Sequence, residues 1–162
     1  MYKVLDICRH IINYSDEKGY GISNLKLQKV LYFIQAYFVC FTEKKEPCFE
    51  ENIEAWEFGP VVPVAYHEYK QYGSNEIPKI NTVMEINFGK TFNFKIVPYD
   101  DSVISTQDKQ VIDGLVEKFS NYSAATLVSI THNQSPWIEA YNNGKNSVIT
   151  IESMRAYYNG KQ

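Results

Sequence analysis

Between Ile53 and Tyr72 the chain reads IEAWEFGPVVPVAYHEYKQY, a stretch that leaves its backbone few choices. Gly59 supplies conformational freedom, Pro60 pushes the residue before it out of the helical basin, and Pro63 carries a ring torsion preset for the first turn of a helix. The order predicts an extended segment, a rigid corner over Gly59 to Pro63, and a helix from Pro63 to Tyr72. Trp56 and Phe58, two residues apart, are expected on one face of the extended segment. The corner holds no nucleophile, phosphate loop or metal-ligand spacing. Two roles fit it: a structural junction with Trp56 as a core anchor, or a recognition surface built on Trp56, Gly59, Pro60, Val61 and Pro63.

The tyrosines after the corner sharpen the second role. Tyr66, Tyr69 and Tyr72 recur every three residues among His67, Glu68, Lys70 and Gln71, so an aromatic stripe is expected to stay partly exposed on this helix. Tyrosine is abundant throughout, 13 of 162 residues, and aromatic residues make up 15% of the chain. Tyr combines large apolar area with a polar tip, which suits protein interfaces as well as cores.

The remainder reads as a predominantly helical α+β fold, a compact helical domain with a small peripheral antiparallel β element. At 162 residues the chain is expected to be a single domain over 1–162, long enough to form a substantial core without disulfides or metal. Val4, Leu5, Cys8, Ile11 and Ile12 stripe a first amphipathic helix, with Lys3, Asp6, Arg9 and Asn13 opposite and His10 on the solvated side. Ser23 caps a second helix whose apolar positions, Leu27, Leu31, Ile34, Phe38 and Phe41, are widened almost all round by Val30, Phe33, Tyr37 and Val39. This helix is expected at the centre, exposed mainly at its Asn24, Lys26, Gln28 and Lys29 end. Ile80 to Pro98 alternates around Phe88, Gly89 and Lys90, predicting a β-hairpin with polar, exposed faces, or an edge that another chain pairs with. Ser105 or Thr106 caps a helix to Phe119, Ser123 caps the next, Trp137 to Tyr141 makes a short helical turn, and Thr150 caps a final helix carrying Ile151, Met154, Tyr157 and Tyr158 inward.

Composition bounds the chemistry. A net charge of −3 disfavours an autonomous nucleic-acid binder, which needs clustered Lys and Arg to neutralise phosphate. Lys26, Lys29, Arg9 and Lys3 make at most a small basic patch. Cys8, Cys40 and Cys48 have no C-x-x-C spacing and read as buried free thiols in a reducing cytoplasm. No apolar run reaches a membrane span's length, and the N-terminus lacks the pattern of a signal peptide. His67 and Glu68 fail H-E-x-x-H because position 71 is Gln71. His132 lacks a second His or Cys spaced for metal binding, and is expected to cap the last carbonyls of its helix or bond the Ser135 to Trp137 turn. Asp100 and Asp101 read as a solvated turn. No catalytic residue, metal or cofactor is expected. The competing classes are a small hydrolase using His132 and a transcription regulator whose recognition helix opens at Lys26 and Lys29.

Three segments together resemble the Panacea, or pan-antitoxin, domain family, long listed as phage-associated proteins of unknown function: LKLQKVLYFIQAYF from Leu25, IEAWEFGPVVPVAYHEY from Ile53, and YSAATLVSITHNQSPWIEA from Tyr122. The W-x-x-GPVVP order is the most specific of them. The resemblance implies a cytoplasmic bacterial or phage protein, not an enzyme, that neutralises a toxin encoded beside it by direct protein contact. Some relatives look like adaptors that present a toxin to a protease complex, and several carry an additional DNA-binding or other accessory segment, whereas here the domain is expected to fill the chain. Residues matching the family motifs, Trp56, Gly59, Pro60, Val61, Pro63, Tyr66, Tyr69, His132 and Trp137, are the candidate partner-binding set.

Overall fold

A computed structural model describes residues 1–160. Its elements run α1 (Val4–Glu17), α2 (Asn24–Phe41), β1 (Ile53–Trp56), β2 (Gly59–Val61), α3 (Pro63–Tyr69), β3 (Thr82–Phe88), β4 (Phe92–Pro98), α4 (Thr106–Phe119), α5 (Ala124–His132), α6 (Ser135–Asn143), β5 (Val148–Ile149) and α7 (Ile151–Asn159). The architecture is predominantly helical α+β, as the periodicities predict. Ser23, Ser105, Ser123 and Thr150 each accept a backbone N–H with their hydroxyl oxygens, so the helix starts fall where the capping residues put them.

Helix α2 is the axis of the molecule, touching α1, α3, α4, α5, α7 and β2. Leu27, Leu31, Tyr32 and Ile34 are fully buried along it, and meet Ile7 and Ile11 of α1, Ile112 of α4, Leu127 of α5 and Met154 of α7 in a shared apolar cluster. Near its end the stripe reaches the surface, where Tyr37 and Phe41 are partly exposed. Cys8, Cys40 and Cys48 are buried free thiols, as expected. Burial in apolar surroundings pushes the Cys8 and Cys48 thiols far above their ordinary range, so they stay protonated.

The first turns of α2 depart from the expected solvent-facing end. Asn24, Gln28 and Lys29 are buried, because β2, α3 and α5 pack over them. Their polar atoms clamp neighbouring backbone. Asn24 Nδ2 donates to the Tyr66 carbonyl (3.0 Å), Gln28 Nε2 donates to Asn24 Oδ1 (2.9 Å), and Gln28 Oε1 accepts the Val62 N–H (3.0 Å). Further along, Gln35 accepts from the N–H groups of Cys48 and Phe49 and donates to the Phe49 carbonyl, fixing the α2–β1 connection. Such amides replace the water that a loop's peptide groups lose on burial.

His10 is a second correction, since it is not solvated. Its Nε2 lies 2.7 Å from Asp113 Oδ1 and its Nδ1 3.3 Å from Asp101 Oδ2. Asp101 is therefore tied into the fold and not a free turn residue; a hydrogen bond from Lys109, then the Lys109 and His10 charges, hold its carboxyl below the usual range. The opposite face of α1 also carries Asn13, whose amide donates to the Ile80 carbonyl and accepts the Ile80 N–H, pinning the chain where it enters β3.

β1 pairs antiparallel with β2 on one side and β5 on the other, in the order β2-β1-β5. The expected single corner is thus a tight β-hairpin. Trp56 pairs with Gly59, leaving Glu57 and Phe58 at the turn, so Phe58 is thrown out to 61% exposure and does not share a strand face with Trp56. The predicted helix from Pro63 ends at Tyr69 and tightens into a 3-10 turn over Lys70–Tyr72. The short turn expected at Trp137 to Tyr141 is the interior of α6. β3 and β4 form the predicted hairpin as a separate two-stranded sheet. Its faces are not both polar, as taken up below.

Candidate protein-binding surface

The β1–β2 hairpin is held from behind. Gly59 has φ +96°, and a Cβ there would sit 2.8 Å from Thr131 Oγ1 and 2.9 Å from Lys29 Cε, so only glycine meets both the torsion and the space. Lys29 Nζ donates to the Pro60 carbonyl at 2.8 Å. With no carboxylate partner among the described residues, burial alone pushes this amine down to about 7. Next comes Pro63 at the first turn of α3, where its missing N–H costs nothing.

Rings gather in front of this clamp. Trp56 packs edge-on against Tyr66 (centroids 5.0 Å apart) and His67 (6.4 Å), and its indole N–H donates to Glu54 Oε2 at 2.8 Å. On the other side Trp137 donates its indole N–H to the Trp56 carbonyl at 3.0 Å. Trp137 is sandwiched in a stack, with His132 at 4.0 Å and Tyr141 at 4.7 Å. Two groups of rings therefore join through the Trp56 peptide. Phe58 and Val64, both about half exposed or more, and Ile138 and Tyr141 add apolar area beside them.

The predicted partner-binding residues divide by burial. Trp56, Pro63, Tyr66, His132 and Trp137 are half-buried and available at the surface; Gly59, Pro60, Val61 and Tyr69 are buried and act only as supports. Tyr69 is a correction, being 4% exposed and part of the main core, because the helix turns it toward α1 while Tyr66 lies a turn away beside Trp56. The expected aromatic stripe is in effect Tyr66 and His67. Trp56 is neither a full core anchor nor a free ring. His132 neither caps its own helix nor bonds the following turn: its ring stacks on Trp137 and donates to the Glu57 backbone carbonyl, while burial, the larger effect, pulls its pKa below the ordinary value. His132 Nε2 is buried with no hydrogen-bond partner among the described residues.

Phe58, Val64, His67 and Tyr141 were not anticipated. Phe58 had a usable signal, an aromatic immediately before a glycine that closes a two-residue turn. Tyr141 had none, since its place depends on how α6 docks against β1. Among the described residues no group of three His, Cys, Asp or Glu side chains is placed to hold a metal ion.

Fold and surface together define a small helical scaffold that displays aromatic side chains around a clamped hairpin. The chain belongs to the SocA-like antitoxin family: the profile described as "Antitoxin SocA-like, Panacea domain" matches residues 27–138, which include Lys29 and every one of the predicted partner-binding positions. Antitoxin SocA of Caulobacter vibrioides (strain NA1000 / CB15N) is 32% identical over 117 residues, covering 72% of this chain and 58% of that protein. The chain thus spans little more than half the length of that relative. No solved structure gives a significant match.

Proposed function

We propose that this protein is a cytoplasmic antitoxin that neutralises a cognate protein toxin by direct, stoichiometric contact, and that Trp56, Tyr66 and His67, with Trp137 and Tyr141, form the contact surface. The observation that carries the reading is the pair of joined ring clusters standing on a backbone clamped by Lys29 and Gln28, in a chain of an antitoxin family. A pre-ordered backbone lowers the entropy lost on association, and Tyr and Trp lose few rotamers when they dock. Glu54, hydrogen-bonded to the Trp56 indole, and exposed Glu57 at the turn put carboxylates at the rim. A basic toxin surface is the complement they favour. The role is non-enzymatic: holding another protein needs anchors and a rim, and these rings supply the anchors. Helices of the described residues are too short or too polar to cross a membrane.

The test is growth rescue. The double variant Tyr66→Ser/Tyr141→Ser changes two rings at the surface and none in the core, so its circular dichroism and melting temperature should match wild type. It should fail to rescue cells expressing the toxin encoded by the neighbouring gene. Full rescue by a normally folded double variant would remove these rings from the toxin contact.

A further inference from the structure

The β3–β4 hairpin leaves the body of the molecule as an arm. At its base the Tyr99 N–H donates to the Asn81 carbonyl (2.9 Å) and Asn13 grips Ile80. Beyond the base it has no strand on either side. Strand alternation sorts its side chains into two faces. Val83, Glu85, Asn87, Asn93, Lys95 and Val97 share one, and the two valines, nearest the base, are its only half-buried members. The face that meets the body is therefore the polar one.

The other face is apolar along its length. Met84 pairs with Ile96, Ile86 with Phe94 and Phe88 with Phe92, and these six side chains are between 47% and 87% exposed. Because the body touches the opposite face, this one points away from it. Nothing among the described residues covers it. An isolated two-stranded ribbon is marginal in water, and a continuous apolar face on one is stable only when packed against something. The six residues expose on the order of 700 Å², more than the largest patch of a typical monomer and close to the ~800 Å² that each partner contributes to a stable interface.

We infer that the apolar faces of two arms pack against each other, making the protein a symmetric homodimer. A second copy is the occupant that fits best. Apart from Thr82 at its base, the face carries no charge or polar side chain that would select a different surface, and an uncharged apolar face is complementary to itself under a two-fold axis. Two arms joined this way bury at most about 1,400 Å² in all, inside the standard range for specific interfaces. The polar faces then lie away from the shared interface, each on the side of its own body, and the Trp56–Tyr141 surface is left to another partner.

Light scattering and sedimentation equilibrium on the full-length protein from about 1 to 100 μM test this. The expected result is a dimer at the upper concentrations. Ile86→Ser/Phe94→Ser, which removes the central pair, should be monomeric throughout and keep the circular dichroism of the wild type and its melting temperature at monomeric dilution, since the arm lies outside the main core. A second variant joins Asn81 to Tyr99 through a short Gly-Ser linker in place of the arm, and should also be monomeric and folded. A wild-type monomer at every concentration overturns the inference, as does a dimer that survives either variant or open-ended association in place of a dimer. A monomer whose arm variants lose growth rescue would assign the face to the toxin, and equally overturns it.

Discussion

Lys29 offers a sharp test of the packing behind the hairpin. Its amine is fully buried, with the Pro60 carbonyl as its hydrogen-bond acceptor, and burial brings it to about 7 from the ordinary 10.5. The unfolded chain keeps this proton until about pH 10, whereas the folded protein releases it as the pH rises through about 7. The unfolded state thus binds more protons above neutrality, and stability must rise with pH. At about 1.36 kcal/mol per proton and pH unit, the gain between about pH 7 and about pH 8.5 is on the order of 1–2 kcal/mol, since the folded amine is still half protonated at the start of the window. Below about pH 6 both states hold the proton and the contribution is flat.

Lys29→Met keeps most of the aliphatic stem and abolishes the titration. It also leaves the Pro60 carbonyl without its donor, a loss of ~1–3 kcal/mol that does not depend on pH in this window. Urea unfolding of both proteins across this window, followed by tryptophan fluorescence, gives the difference in unfolding free energy. Buried Cys8 and Cys48, whose raised pKa values lower stability as pH rises, are common to both proteins and cancel. The difference, wild type minus variant, should climb by on the order of 1–2 kcal/mol. Parallel curves, or a difference that falls with pH, would refute the claim that a buried, unpaired amine lies under the hairpin.

Gly59→Ala should cost about 2–4 kcal/mol, through a left-handed torsion and contacts with Thr131 and Lys29 that neither can easily relieve; a loss under about 0.5 kcal/mol in chemical denaturation would contradict it. Tyr69→Ala should cost ~3–5 kcal/mol, the range for emptying an aromatic core site, while Tyr66→Ala in the same assay stays within about 1 kcal/mol. Equal losses would mean that both rings are core.

Local chemistry was legible wherever the cause was local. Capping by Ser23, Ser105, Ser123 and Thr150, the stripes of α1 and α2, the β3–β4 hairpin and the buried thiols all follow from neighbours a few residues apart, and the sequence by itself determined them. The family motifs likewise singled out Trp56, Tyr66, His132 and Trp137, which the fold brings into two adjoining ring clusters. Tertiary structure decided the rest. Asn24, Gln28, Lys29 and His10 are polar, and on an isolated helix polar side chains face water; they are buried because other segments bring carbonyls, N–H groups and carboxylates to meet them. Tyr66 and Tyr69 have the same chemistry and nearly the same place in the helix, yet one ring is core and the other surface, because only the docking of α3 on α1 sets which side is covered. The alternation of β3 and β4 showed two faces but not which of them the body would leave in water. That choice belongs to the base of the arm, where Val83 and Val97 turn the polar face inward.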